Sequence, residues 1–178
     1  MQNKVNKPSA QKGNKKLIYI FTVIILAAVI LVMVIPTNNQ APEPPREETK
    51  KPPVQKEGEV YFADAAGVSK IKIDVEIADT DYDRSLGLMY REGMSELQGM
   101  LFVFPYEDRL SFWMKNTIMP LDMIFINSKR EIVTIHKNTT PYSEQSYPAS
   151  APAQYVVEVV AGFCDRHNIT TGDKVFWR

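Results

Sequence analysis

Lys70-Ile-Lys-Ile-Asp-Val-Glu-Ile-Ala78 decides the fold class of this chain. Apolar Ile71, Ile73, Val75 and Ile77 alternate with polar Lys72, Asp74 and Glu76, the period of a strand with one apolar and one wet face. Short apolar runs recur downstream at Gly99–Phe104, Leu110–Met114, Leu121–Ile126 and Tyr155–Val160. Asn127-Ser-Lys-Arg130 reads as a polar hairpin turn returning through Glu131–Lys137, and Lys174–Trp177 as a closing strand. Helical signals are few. Thr80-Asp-Tyr-Asp83 is a helix-start box ahead of Arg84-Ser-Leu-Gly-Leu-Met-Tyr-Arg91, and Ala161–Asn168 suits a short helix. The expectation is an α+β class: a compact β-rich domain, its mostly antiparallel sheet curled or barrel-like, with one or two short helices. Helical spacing through Arg91 puts Arg84, Leu88 and Arg91 on one side of the first helix.

Upstream the composition changes. Residues 1–16 carry five lysines and no acid, and read as a basic cytoplasmic N-terminus. Leu17–Ile35 is an uncharged apolar run of 19 residues, close to the ~20 needed to cross the hydrocarbon core as a helix. The lysines orient it N-inside. Because no small-x-small cleavage site or lipobox cysteine follows, an uncleaved transmembrane helix is expected at 17–35. The segment 36–57 holds six prolines among mixed charges and reads as an extended linker, reaching up to about 65 Å in polyproline II. The globular domain is then 58–178. The expected location is the cytoplasmic membrane, single-pass, with the domain in the periplasm or outside the cell.

Charge and residue counts exclude several function classes. Residues 58–178 hold 12 basic and 17 acidic side chains, a net of −5. That lacks the clustered Lys/Arg a nucleic-acid surface needs. One cysteine, Cys164, permits no internal disulfide and reads as a small buried hydrophobe. Its alternative, a nucleophile with His167 three residues on, has no further support. The two histidines, His136 and His167, stand far apart with no CxxC or HExxH, so no metal and no cofactor are expected.

Three features depart from core patterning. Asp122 shares a strand face with Ile124 and Ile126, and Glu158 one with Val156 and Val160. A carboxylate on an apolar face costs several kcal/mol unless paired or protonated. Between two strands, Trp113-Met-Lys-Asn-Thr-Ile-Met-Pro120 crowds Lys115, Asn116 and Thr117 into one short connection. Two readings stay open. The acids form a structural network with Arg84 or Arg91, for instance Asp122 with Arg84, or Asp122, Asn116, Thr117, Lys115, Trp113, Arg84, Arg91 and Glu158 build a binding pocket.

Arg84–Arg91, Gly99–Phe104, Phe112-Trp-Met-Lys-Asn-Thr-Ile-Met-Pro-Leu-Asp122 and Tyr155-Val-Val-Glu-Val-Val-Ala-Gly162, in this order, resemble the "domain of unknown function 192" family. The resemblance covers about residues 70–177 and nothing of the anchor or linker. It rests on Arg84, Gly87, Met89, Arg91, Gly99, Met100, Trp113, Asn116, Thr117, Pro120, Asp122, Glu158 and Gly162. It implies a small β-rich fold, common in bacterial envelope proteins and found in archaea, and it implies no activity.

Anchor, spacer and a polar cluster beside Trp113, Phe112 and Tyr155 together predict a membrane-anchored binding module. Its partner would be a small polar or carbohydrate-like ligand, or an envelope polysaccharide or protein. A concave site containing Asp122, Asn116 and Trp113 is expected. The alternative is an envelope hydrolase using Asp122 or Glu158 as general acid or base. Oligomeric state has no signature in the chain.

Overall fold

The alternating stretch forms β2 (Ser69–Ala78), with Ile73 and Val75 buried and Lys72 exposed, as its period requires. The structure, a computed structural model, describes residues 53–178. Before β2 runs β1 (Gly58–Ala63). After it come helix α1 (Asp81–Leu86), β3 (Gln98–Asp108), β4 (Ser111–Phe112), β5 (Leu121–Ile126), β6 (Ile132–His136) and β7 (Tyr147–Pro148). Then follow β8 (Ala153–Val160), helix α2 (Phe163–Arg166) and β9 (Lys174–Trp177). Seven strands make one sheet in the order β6-β5-β8-β3-β2-β1-β9, and β4 pairs with β7 apart from it.

The sheet is mixed. β2 and β3 run parallel, with Asp74 opposite Gln98 and Ala78 opposite Phe102, and the other five pairings are antiparallel. Parallel neighbours need a crossover connection, and residues 79–97 with α1 supply it. The sheet curls until its edges touch. Ile132 N–H donates to the Asp173 carbonyl at 2.9 Å, Val175 N–H to the Arg130 carbonyl at 2.9 Å, and Glu131 bridges Lys174. No continuous ladder joins the two edges, so the sheet is not closed into a barrel. β1 and the short β7 were not foreseen, because GEVYFA is brief and β7 sits in a stretch broken by prolines.

The curl separates two cores. Inside it, Val60, Phe62, Ile73, Val75, Leu101, Ile124, Ile126, Val157, Val159 and Val175 pack together, joined by Phe163 and Cys164 of α2. On the other face, Met100, Phe102, Met123, Phe125 and Val156 are covered by Leu88, Met114, Tyr147 and Ala149 from the connections. Val54, in the stretch read as linker, is buried against this second core, and Glu57 N–H donates to the Val75 carbonyl at 2.8 Å. The apolar run 17–35, the basic 1–16 and the linker up to residue 52 lie outside the described residues. Among the described residues no helix is long and apolar enough to cross a membrane.

Candidate functional site

α1 begins as its box predicts: the Thr80 hydroxyl accepts the Asp83 N–H at 3.1 Å. It ends sooner than expected. Gly87 adopts φ +47°, ψ −136°, which stops the helix after Leu86, and a Cβ there would meet the Phe102 ring at 3.2 Å. Arg84 and Arg91 therefore do not share a helical side. The Arg84 guanidinium donates to the Asp79 and Val103 carbonyls and, at 2.6 Å, to the Asp81 carboxylate. Buried Arg91 donates to Glu76 of β2 at 2.6 Å.

The expected network of Asp122 with Arg84 is not formed. Asp122 faces the inner core beside Ile124 and Ile126 and is fully buried. One carboxylate oxygen accepts the N–H groups of Asn138 (2.9 Å) and Gly162 (3.2 Å), and the other accepts that of Cys164 (2.9 Å). The side chain thus ties the loop after β6 to the start of α2, and it does not reach a cavity. Cys164 is buried beside it, and burial pushes the thiol well above its ordinary value. His167 does not activate that thiol; its Nε2 lies 3.1 Å from Glu96 and its ring packs on Phe163. His136 sits half-buried with Nε2 2.8 Å from the Pro148 carbonyl.

The crowded connection also divides. Asn116 and Tyr90, both at positive φ, clasp each other: Tyr90 N–H donates to the Asn116 carbonyl at 2.9 Å, and Asn116 Nδ2 to Tyr90 Oη at 2.6 Å. Lys115 Nζ lies 5.1 Å from the centre of the Trp113 ring and 3.5 Å from Glu144. Thr117 is buried, its hydroxyl 3.3 Å from the Lys115 carbonyl. Tyr155 packs on Trp177 at 4.5 Å between ring centres, with the Arg130 guanidinium over both rings, away from the cavity described next.

A cavity of about 420 Å³ opens on the second core between α1, β3, the β4 connection and β8. Its walls are Phe102, Phe104, Phe112, Trp113, Leu88 and Met89, and its polar groups are Asp81, Arg84, Ser85, Ser111, Thr117 and Glu158. Four expected site residues, Trp113, Thr117, Arg84 and Glu158, meet here; Asp122, Asn116, Lys115 and Arg91 do not line it. Trp113 stands half-exposed at the wall. Glu158 is 4 % exposed, flanked across the ladder by Met100 and Met123. Burial with no compensating charge pushes its carboxyl up to about 8. It is therefore mostly protonated at neutral pH. The aromatic wall was partly legible: period 2 within Gly99–Phe104 groups Met100, Phe102 and Phe104 on one face. Ser85 and Leu88 carry no such signal. Among the described residues no cluster of three His, Cys, Asp or Glu could hold a metal ion.

Fold and cavity together define a small β-rich domain with an aromatic-walled recess floored by a buried acid. The chain belongs to the DUF192 family, described as an "Uncharacterized ACR", which it matches over residues 63–177. A UPF0127 protein of Pyrococcus furiosus is 33% identical over 110 residues, covering 61% of this chain and 90% of that one. A UPF0127 protein of Pyrococcus horikoshii is 30% identical over 106 residues, covering 58% and 87%. Among solved structures, one from Sinorhizobium meliloti 1021, provisionally named a transcription regulator, is 38% identical with a TM-score of 0.66 and covers 71% of this chain and 97% of that one. A protein of unknown function from Novosphingobium aromaticivorans is 35% identical with a TM-score of 0.63, covering 67% and 84%.

Proposed function

We propose that this protein is a membrane-anchored binding module whose cavity takes a small polar or carbohydrate-like ligand. One observation carries the reading: Glu158, a carboxyl 4 % exposed, lies at an aromatic-walled cavity with no hydrogen bond or ion pair to any described residue. The carboxyl meets the cavity with no protein partner, and a ligand that pairs with it there supplies the hydrogen bond that the fold does not. The half-exposed Trp113 at the wall suits a ring packed face-on. The anchor at 17–35 and the linker after it would hold the domain at the outer face of the cytoplasmic membrane, N-terminus inside. The acidic balance of residues 58–178 argues against a nucleic-acid role, and the regulator name stays with the Sinorhizobium protein.

The test is a panel of mono- and disaccharides and short envelope-type glycans titrated against the full-length protein, followed by tryptophan fluorescence. A saturating change that Trp113→Ala removes is the expected result. Silence across the panel, together with silence toward the small aromatic probes described below, defeats the reading. The hydrolase alternative draws on one observation, the raised proton affinity of Glu158, which suits a general acid at neutral pH. Asp122 is closed to that role because its oxygens are occupied by backbone N–H groups. Glycan cleavage that Glu158→Gln abolishes would support it.

A further inference from the structure

The buried acids differ in what they hold. Asp122 accepts three backbone N–H groups, Glu59 pairs with Lys56, Lys72 and Arg178, and Asp173 pairs with Lys70 and accepts Thr170 N–H. Glu158 has none of these among the described residues. A carboxyl in that state keeps its proton and retains one O–H donor. The other polar groups of the cavity are already engaged. Ser85 donates to the Asp81 carbonyl, Ser111 bonds Ser146, Thr117 turns to the Lys115 carbonyl, and Arg84 is taken by two carbonyls and Asp81. Among the buried side chains of the cavity the donor left over is the Glu158 O–H; the Trp113 indole N–H belongs to a half-exposed ring.

Charge decides what should meet it. The groups facing Glu158 from β3 and β5 are Met100 and Met123, which carry no charge. The charged groups of the cavity are Asp81 and Arg84, paired with each other at 2.6 Å. A cationic ligand would need Glu158 ionised, and the rings of Phe104 and Trp113 already carry Arg84 at 5.3 Å and Lys115 at 5.1 Å. An anionic ligand would find one guanidinium, already matched by a carboxylate. An uncharged acceptor meets neither obstacle. We propose that the cavity takes an uncharged carbonyl compound with an apolar body, its carbonyl oxygen accepting the Glu158 O–H and its body lying against Phe102, Phe112 and Trp113. This rests on the cavity being a binding site, as proposed above.

The test uses three probes of one shape, benzamide, benzoate and benzylamine, titrated by calorimetry into the full-length protein at pH 6.5. Benzamide is expected to bind at least tenfold more tightly than either ion. Its affinity should fall as Glu158 loses its proton, about thirtyfold by pH 9.5, because only the protonated fraction is competent. Glu158→Gln keeps an N–H donor that does not titrate. It should bind benzamide with a flat pH profile, whereas Glu158→Leu, checked for folding by circular dichroism, should lose binding. Benzylamine or benzoate binding more tightly than benzamide overturns the proposal, as does a benzamide affinity indifferent to pH or retained in Glu158→Leu. If glycans perturb Trp113 while benzamide does not bind, the ligand class falls and the binding module stands. If neither panel binds, both fall.

Discussion

Asp122 and Glu158 lie on neighbouring strands of one sheet, one register step apart, and they do opposite things. Asp122 points into the curl and Glu158 into the outer core, because Met123 and Val159 stand opposite them and side chains alternate along each strand. Both are buried. Asp122 receives three N–H groups from the ends of two connections, so its oxygens are satisfied by backbone, and it fastens those connections to the sheet. Glu158 receives nothing and remains a neutral acid at the edge of a cavity. Burial alone does not mark a site; burial at a cavity wall without an internal partner points to one.

The largest expected effect breaks the Asp122 side of this comparison. Asp122→Ala strands three buried N–H groups and should cost about 5 kcal/mol of stability, read from urea unfolding of the full-length protein by tryptophan fluorescence. A loss under ~1 kcal/mol would show that water replaces the carboxylate and that the fastening role is wrong.

The next tests Glu158 through pH. Its folded-state value, about 8, stands above the ordinary 4.5, so the native protein keeps a proton that the unfolded chain releases between those values. Stability should therefore fall as pH rises from about 4.5 to 8 and level off above. Glu158→Gln removes that slope and should leave the protein roughly 5 kcal/mol more stable than the parent at pH 9, with little difference near pH 4. Parallel unfolding curves for the two proteins across pH would mean that the carboxyl is solvated through the cavity.

Gly87→Ala sharpens the boundary between the cavity and α1. The positive φ and the Phe102 ring 3.2 Å from the new methyl predict a loss of about 2 kcal/mol. It should also weaken any ligand binding, since Phe102 forms part of the wall. The smallest stability effect belongs to Trp113→Ala. With the ring half-exposed, the melting curve should stay within ~0.5 kcal/mol of the parent while binding in the cavity is lost. A large destabilisation would recast Trp113 as part of the outer core.

Much of the fold was written in local pattern. The alternation of Ile71, Ile73, Val75 and Ile77 against Lys72, Asp74 and Glu76 specifies β2 without reference to anything distant. The Thr80 cap and the Asn127–Arg130 turn are equally local, and the Asn127 carbonyl accepts Arg130 N–H at 3.0 Å where the turn was expected. The parallel pairing of β2 with β3 was not legible, because no property of either segment records the direction of a neighbour 20 residues away. Helix α1 was read too long for a related reason. The side chains of Arg84, Leu88 and Arg91 keep helical spacing, yet Gly87 must turn to let the chain pass the Phe102 ring.

The same division runs through the site. Sequence by itself determined that Asp122 and Glu158 sit on apolar strand faces and that each must be paired or protonated, because the cost of burying a charge follows from pattern alone. It determined the family through ordered motifs, and it set an acidic balance on the domain. Only the tertiary structure decided which acid is paired. The amides that satisfy Asp122 come from Asn138, Gly162 and Cys164, and the cavity beside Glu158 is bounded by chain as far apart as Asp81 and Thr117. Solvation of a buried group depends on what the fold brings within 3 Å of it, and strand period records the direction of a side chain, not its company.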